Sequence, residues 1–215
     1  MSRAAVFIDG GYIDKVLESF AEVKKDYSLI PKIDYQALAK QFGVEVDCEV
    51  FRTYYYDCSP YQGNPPTPEE RARFVGHERF MTVLRRMPRF EVRLGRLDRI
   101  PTGPNSYKYQ QKRVNSLLTL DLAKLSWQKT IQTAVIISGD SDFIPAVNEA
   151  KNMGVLTRVY YSKKGSCRIH DQLHQTCDEK IEITSDLIKA VGRGFYKKKH
   201  HSFVESKNST YEMPQ

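Results

Sequence analysis

Four aspartates occupy positions where a carboxylate needs a partner. Asp9 ends the first apolar run of the chain, and Asp140 and Asp142 follow the apolar residues 135–137 after Ser138 and Gly139. Asp121 interrupts a helical stripe of apolar residues, namely Val114, Leu117, Leu118, Leu122 and Leu125. Burial of an unpaired carboxylate is costly, so each aspartate requires hydrogen bonds, a basic side chain or a cation.

A divalent cation shared by the four carboxylates accounts for all four positions. Oxygen ligands without a neighbouring histidine or cysteine favour Mg²⁺ or Mn²⁺ over Zn²⁺. Such a cation binds a phosphate oxygen and lowers the pKa of a bound water, which is the chemistry of phosphate-ester hydrolysis. The pattern therefore predicts a metal-dependent hydrolytic site.

Three of the four aspartates also have a structural interpretation that the sequence leaves open. Asp142 precedes a predicted helix and can cap it, and Asp9 precedes two glycines and can be a turn residue. Asp121 can be a core acid that pairs with Arg113 or Lys124. The shared cation explains the four positions together, whereas these interpretations explain them one at a time.

Strands and helices alternate along residues 1–192, which predicts one α/β domain with a mainly parallel sheet covered on both faces. The predicted strands cover residues 4–8, 44–56, 90–97, 107–109, 134–138, 155–160 and 180–183. The predicted helices cover residues 12–24, 34–42, 68–87, 115–127, 143–153 and 168–176, with a last helix from residue 186.

Loops at the carboxyl ends of neighbouring strands meet where the strand order reverses. We therefore expect Asp9, Asp140 and Asp142 to converge there.

The chain of 215 residues has a formal net charge of +7, and the excess is concentrated in one segment. This arginine segment, residues 71–113, contains twelve basic side chains, mostly arginines, and three acidic ones. Arginine matches phosphate oxygens with a planar fork, so the segment favours a nucleic-acid partner. The alternative is that these charges lie on a solvated helix face.

Residues 193–215 contain KKKHH and are otherwise polar and aperiodic, which predicts a disordered basic tail.

Cysteine usage and the N-terminal residues predict a cytoplasmic protein without a membrane partner. The four cysteines include no CxxC pair, which indicates reduced thiols. Asp9 interrupts the first apolar run too early for a secretory signal, and no apolar stretch reaches membrane-spanning length.

A zinc site is a further alternative, since Cys167, His170, His174 and Cys177 lie along one predicted helix. Four zinc ligands from one helix make an awkward tetrahedron, and Cys177 is more simply a buried apolar position.

Four tyrosines, Tyr54, Tyr55, Tyr56 and Tyr61, lie beside a proline-rich loop near the predicted site. Their rings can stack on unpaired bases. Alternating strand tyrosines that fill the core are the simpler interpretation for at least half of them.

The sequence resembles the NYN-domain family of PIN-like nucleases, which includes the LabA-type proteins. The resemblance is carried by AVFIDGGYI (5–13), YYYD (54–57), KRVNSLLTLDLAKL (112–125), AVIISGDSDFIPAV (134–147) and, more weakly, LHQTCDEKIEI (173–183). It implies a PIN-like, Rossmannoid three-layer α/β/α sandwich whose clustered acids bind Mg²⁺ or Mn²⁺ and hydrolyse phosphodiesters, most often in RNA. Homodimerisation is compatible with this fold.

The resemblance implies roles for individual residues. The catalytic and metal-binding acids are Asp9, Asp121, Asp140 and Asp142, with Asn115 as a further metal ligand. We also predict substrate contacts from Tyr12, Lys112, Arg113, Ser138 and Ser141. The family usually has an aspartate where this chain has Asn115, and commonly has an asparagine where it has Tyr12. Asn115 can cap the helix and coordinate through its carbonyl oxygen, but it brings no charge and cannot act as a base.

Other function classes fit the sequence less well. Haloacid-dehalogenase-like phosphatases require a second aspartate two residues after the first, where this chain has Gly11. A dinucleotide-binding site is disfavoured because no GxGxxG follows the first strand. The remaining alternative is a non-catalytic RNA-binding module with a nuclease-like fold, which the uncharged Asn115 favours.

Overall fold

A computed structural model describes residues 2–103 and 106–199 of the chain. The strands are β1 (Arg3–Asp9), β2 (Glu22–Val23), β3 (Tyr27–Ile33), β4 (Glu49–Cys58), β5 (Phe90–Gly103), β6 (Ser106–Lys112), β7 (Thr133–Ile137), β8 (Leu156–Tyr161), β9 (Glu179–Glu182) and β10 (Gly192–Lys199). The helices are α1 (Gly10–Ser19), α2 (Tyr35–Glu45), α3 (Pro68–Arg86), α4 (Val114–Trp127), α5 (Ile144–Asn152), α6 (Asp171–Thr176) and α7 (Ser185–Ala190). Short 3₁₀ helices cover Ser141–Phe143 and Gly165–Cys167.

Seven strands form the main sheet in the order β6–β5–β4–β1–β7–β8–β9. All neighbours in this sheet are parallel except β5 and β6, which form an antiparallel pair. From β1 the chain continues outward through β4 and β5, then returns to β7 on the opposite side of β1. The strand order therefore reverses between β1 and β7, and parallel sheets bind ligands at the carboxyl side of such a switch point.

Helices cover both faces of this sheet, because alternate residues of its buried strands enter two separate apolar layers. Val6 and Ile8 of β1 pack in the layer that contains α1 and α2. Ala5 and Phe7 pack in the layer that contains α4 and α5. The predicted three-layer α/β/α architecture with a mainly parallel sheet is thus confirmed.

Helix α3 is the helix whose start the sequence specifies most directly. Thr67 and Glu70 form a capping box, and Pro68 occupies the first turn. Arg85 and Arg86 lie in the last turn, where positive charge is favourable. The helix spans nearly the whole predicted range and ends one residue earlier.

A small antiparallel sheet, β10–β3–β2, was not predicted. The predicted helix over residues 12–24 ends at Ser19, and β2 follows it. The predicted disordered tail begins at residue 193, but residues 193–199 belong to β10 and pair with β3. Pairing with β3 provides hydrogen-bond partners for the backbone groups of this lysine-rich strand. The Lys198 side chain forms an ion pair with Glu18 of α1. Residues 200–215 of the predicted tail lie outside the described residues.

Three of the four tyrosines considered for base stacking belong to the core. Tyr54, Tyr55 and Tyr56 of β4 are buried, as the packing interpretation requires, and only Tyr61 retains a partly exposed ring. No helix in the described part of the chain is both long and apolar enough to span a membrane.

Candidate active site

Asp9 lies at the carboxyl end of β1, directly at the switch point, and caps α1. Its carboxylate accepts a hydrogen bond from the backbone N–H of Tyr12 at 3.1 Å and another from the Ser138 hydroxyl at 3.1 Å. Burial raises the pKa of Asp9 from 3.8 to about 6, these two hydrogen bonds lower it, and the negative charge of Asp140 raises it further. Asp9 is therefore a turn and cap residue and also an acid next to another acid.

Asp140 and Asp142 follow β7 at the same edge of the sheet. The Asp140 carboxylate caps the 3₁₀ helix by accepting a hydrogen bond from the Asp142 N–H at 2.9 Å. The Asp140 N–H in turn donates to the Ser138 hydroxyl at 3.3 Å. Ser138 thus connects the loop after β7 to Asp9 of β1, and Asp140, not Asp142, acts as the cap.

Asn115 joins the two acids of this loop from the opposite side. Its side-chain Nδ2 donates to Asp140 Oδ2 at 3.0 Å and to Asp142 Oδ2 at 2.8 Å. The predicted helix cap at Asn115 is wrong, because α4 begins at Val114 and its cap position is Arg113, with φ of +76°. Asn115 lies in the first turn, so its amide is free to reach the loop. We call the connected residues Asp9, Asn115, Ser138, Asp140 and Asp142 the acid cluster.

Asp121 has its own partners outside the acid cluster. Its Oδ2 accepts hydrogen bonds from the Tyr56 hydroxyl at 3.0 Å and from Arg93 Nε at 3.2 Å. The basic partner is therefore Arg93 of β5, and not Arg113 or Lys124 as the structural interpretation proposed. Among the described residues, no hydrogen bond joins Asp121 to the other three aspartates. Its assignment as a metal ligand stays a prediction.

The donor set of the acid cluster fits a hard divalent cation. In residues 2–103 and 106–199, no group of three or more His, Cys, Asp or Glu side chains is placed to hold a metal ion. The cluster nevertheless offers carboxylate, hydroxyl and amide oxygens, with no sulfur or imidazole, which is the chemistry that Mg²⁺ and Mn²⁺ prefer. Asp140 and Asp142 already converge on one position, which the Asn115 NH₂ group occupies. A flip of that amide presents its carbonyl oxygen instead.

The zinc alternative finds no support in the positions of its four residues. Cys167 and Cys177 are buried, the His170 Nδ1 accepts the Gln172 N–H as the cap of α6, and the His174 ring packs against Tyr161 at 4.7 Å. Each side chain thus has a separate structural role.

Comparison with known proteins identifies the family. The family model described as the NYN domain matches residues 3–184. This chain belongs to the NYN domain family. No curated protein matches the sequence.

Two solved structures show weak similarity to this NYN domain. MurG of Acinetobacter baumannii is 13% identical with a TM-score of 0.37, and the match covers 86% of this chain and 46% of MurG. A Plasmodium falciparum nicotinic acid mononucleotide adenylyltransferase complexed with NaAD is 10% identical with a TM-score of 0.30, and the match covers 88% of this chain and 80% of that protein.

Tyr12 has a structural position in this NYN domain. It is buried, and its hydroxyl accepts a hydrogen bond from the Ser162 N–H at 2.9 Å. The ring lies against Gly139, where an added Cβ would approach the Tyr12 ring to 2.5 Å. Tyr12 therefore fixes the loop that carries Asp140. Its direct contact with substrate stays a prediction.

Substitution of Tyr12 by phenylalanine separates these two roles. Tyr12→Phe leaves the buried Ser162 N–H without an acceptor, so we expect the free energy of unfolding to fall by about 1–3 kcal/mol. Chemical denaturation measures this change. If the hydroxyl instead binds substrate, KM rises while the denaturation midpoint stays at the wild-type value.

Of the other predicted substrate contacts, Ser138 is buried inside the acid cluster and donates to Asp9, so its contact with substrate stays a prediction. The remaining three lie at the rim of the cluster. Lys112 ends β6 and Arg113 precedes α4, and both side chains are exposed. In the described ranges neither side chain takes part in an ion pair. Ser141 is the half-buried first residue of the 3₁₀ helix between Asp140 and Asp142. These positions suit phosphate contacts, which remain to be tested.

The arginine segment is only partly available to a partner. Arg89, Arg93 and Arg96 pair with Glu49, Asp121 and Asp98, respectively. These arginines stabilise the fold or the strand ends, and their charge is partly neutralised. The arginine segment thus combines structural ion pairs with exposed basic side chains.

Proposed function

We propose that the protein is a metal-dependent nuclease that hydrolyses phosphodiester bonds in RNA with Mg²⁺ or Mn²⁺. The observation that supports it is the acid cluster, in which carboxylates from two neighbouring parallel strands are connected at the switch point. Membership of the NYN domain family, a family of PIN-like nucleases, supports the same reaction class.

Asp9, Asp140 and Asp142 would hold the cation, together with the carbonyl oxygen of Asn115. When bound, the ion supplies Lewis-acid polarisation of the phosphate and a lowered pKa for water. Ser138 donates to Asp9 and keeps its second carboxylate oxygen oriented toward the cluster. Lys112 and Arg113 would bind the phosphates on either side of the cleaved bond.

Cleavage of labelled RNA by the purified protein tests the proposal. We expect cleavage with Mn²⁺ or Mg²⁺, none after addition of a chelator, and recovery when the metal is restored. Single-stranded DNA serves as the comparison substrate. Failure to cleave a broad panel of RNAs with either metal would exclude the catalytic function.

Metal binding should depend on pH through Asp9. Burial and the neighbouring charge of Asp140 raise the pKa of Asp9 to about 6, so below that pH the carboxyl is protonated and unavailable to a cation. The raised pKa also means that ionised Asp9 destabilises the cation-free protein as pH increases from 3.8 to about 6. We therefore expect the Mn²⁺-induced increase in Tm to be small below pH 6 and to reach its full size above it. Calorimetry at several pH values measures it, and a shift independent of pH would contradict the assignment of Asp9.

The second candidate function is RNA binding without cleavage. Asn115 favours it, because its NH₂ group already satisfies Asp140 and Asp142 without a cation. In that case RNA binding weakens with salt but does not respond to chelator. The cleavage assay and a chelator-insensitive binding assay together distinguish the two functions.

A further inference from the structure

The β5–β6 pair extends beyond the main sheet on the side of the acid cluster. β5 pairs with β4 only as far as Gly95, opposite Cys58. From Arg96, paired with Lys112, to Gly103, paired with Ser106, β5 and β6 form a two-stranded ribbon. We call residues 96–103 and 106–112 the ribbon.

The base of the ribbon lies next to Asp9. A Cβ added to Gly11 would lie 3.4 Å from Gln111 Nε2 and 3.6 Å from Asp9 Oδ1. The Gln111 amide and the Asp9 carboxylate thus both lie close to Gly11. A chain that follows the ribbon toward its base arrives at the acid cluster.

One face of the ribbon carries aromatic rings. Arg99 pairs directly with Tyr109, and Pro101 pairs with Tyr107. Because side chains alternate along a strand, Tyr107, Tyr109 and Gln111 lie on the same face, about 7 Å apart along the strand. The two tyrosine rings therefore lead along this face to Gln111, which lies beside the acid cluster.

Tyr61 of the proline-rich loop completes this face. The Arg99 guanidinium lies over the Tyr107 ring at 4.0 Å and over the Tyr61 ring at 4.8 Å, and the Tyr61 and Tyr109 rings are 5.7 Å apart. Glu70 holds the loop in place by accepting hydrogen bonds from Gly63 N–H and Thr67 N–H, both at 3.0 Å. We call Tyr61, Arg99, Tyr107 and Tyr109 the stacking face.

The stacking face is exposed, and its charge suits a polyanion. All three tyrosine rings are partly exposed, and Arg99 is exposed. Residues 96–113 contain five basic side chains and one acidic side chain. Planar rings and a guanidinium beside positive charge are the features that bind unpaired bases and their phosphates. Bases inside a duplex have their faces covered and cannot use such a surface.

We propose that the stacking face binds the unpaired bases of a single-stranded nucleic acid and directs that strand along the ribbon to the acid cluster. The delivery of the strand to a catalytic site rests on the proposed nuclease function. The binding of unpaired bases does not, so it is testable without cleavage. It predicts that the segment of substrate beside the cleaved bond must be unpaired.

Fluorescence anisotropy in the presence of chelator tests the proposal with the full-length protein. The probes are a labelled single-stranded RNA of about ten nucleotides, longer than one stacking site, and a blunt duplex of the same sequence. We expect Tyr107→Leu and Tyr109→Leu each to weaken binding of the single strand about tenfold and to leave duplex binding unchanged. Tyr196→Leu, a partly exposed tyrosine of β10 outside the ribbon, is the matched control and should bind as the wild type does.

Two further variants separate stacking from charge and from misfolding. Arg99→Lys keeps the positive charge but loses the planar guanidinium, so affinity should fall severalfold with an unchanged salt dependence. Tyr109→Trp keeps an aromatic ring, so it should retain affinity, and its fluorescence should be quenched by the single strand. Wild-type affinity in both leucine variants, equal losses for the duplex, or no binding of the single strand by the wild type would overturn the proposal. If the wild type binds the single strand through the tyrosines but cleaves no RNA with either metal, only the nuclease function is excluded.

Discussion

Asp140→Asn is expected to slow metal-dependent RNA cleavage by roughly 10³-fold or more while the protein remains folded. Asp140 is the acid with the most connections in the cluster, because it contacts Asn115, Ser138 and Asp142. The asparagine keeps an acceptor oxygen for the Asp142 N–H, so the 3₁₀ helix retains its cap. It removes the charge that a cation requires. Single-turnover cleavage with saturating Mn²⁺ measures the loss.

The control makes the same chemical change away from the site. Asp186 lies in α7 with its side chain 89% exposed, so Asp186→Asn should cleave at the wild-type rate. Thermal melting of both variants in chelator establishes that they are folded. If Asp140→Asn retains the wild-type rate, the acid cluster does not carry the reaction.

A third variant, Asp121→Asn, tests the one predicted acid that lies apart. Its partners are Tyr56 and Arg93, so loss of its charge leaves the Arg93 guanidinium less well paired and the acid cluster intact. We expect a smaller loss of cleavage than for Asp140→Asn, together with a lower Tm. An equal loss of cleavage in the two variants would assign Asp121 to the metal.

The parts of the fold that the sequence predicts are those with a local signal. β1 and β7 are fully apolar in their centres, and each is followed by an acidic turn, so both strands and the convergence of Asp9 with Asp140 could be predicted. The small sheet could not, because Pro31 within β3 argues against a strand and the lysine-rich β10 lacks an apolar pattern. Its pairing depends on contacts between residues far apart in the chain.

The partners within the site were harder to predict than the residues themselves. The position of Asp121 on an apolar helix face correctly required a compensating group. That group is Arg93, which the register of β5 against β4 brings close, and such a register is not encoded near either residue. The same holds for Gln111, which lies near Gly11 only because β6 returns antiparallel along β5. Asn115 was expected to cap its helix, but the left-handed Arg113 starts α4 and frees the amide.

Asn115→Asp is expected to have opposite effects with and without a cation. In the wild type the amide donates to Asp140 and Asp142. The aspartate removes both hydrogen bonds and places a third carboxylate beside two others, so in chelator we expect the free energy of unfolding to fall by about 1–3 kcal/mol. With Mn²⁺ the added charge becomes a ligand, so the metal-induced increase in Tm should exceed that of the wild type. Cleavage with limiting Mn²⁺ should increase about tenfold, since each carboxylate strengthens binding of a hard cation.

Two controls identify the cause of these changes. Asn148→Asp adds the same charge at an exposed position of α5 and should change neither the Tm in chelator nor the response to Mn²⁺. Asn115→Ala removes the two hydrogen bonds without adding charge, so it should lose stability in chelator but gain no additional stabilisation from the metal. If Asn115→Asp loses stability in chelator and gains no additional stabilisation from Mn²⁺, no cation binds between these side chains. The amide at Asn115 would then be the permanent partner of Asp140 and Asp142, as the RNA-binding module without catalysis requires.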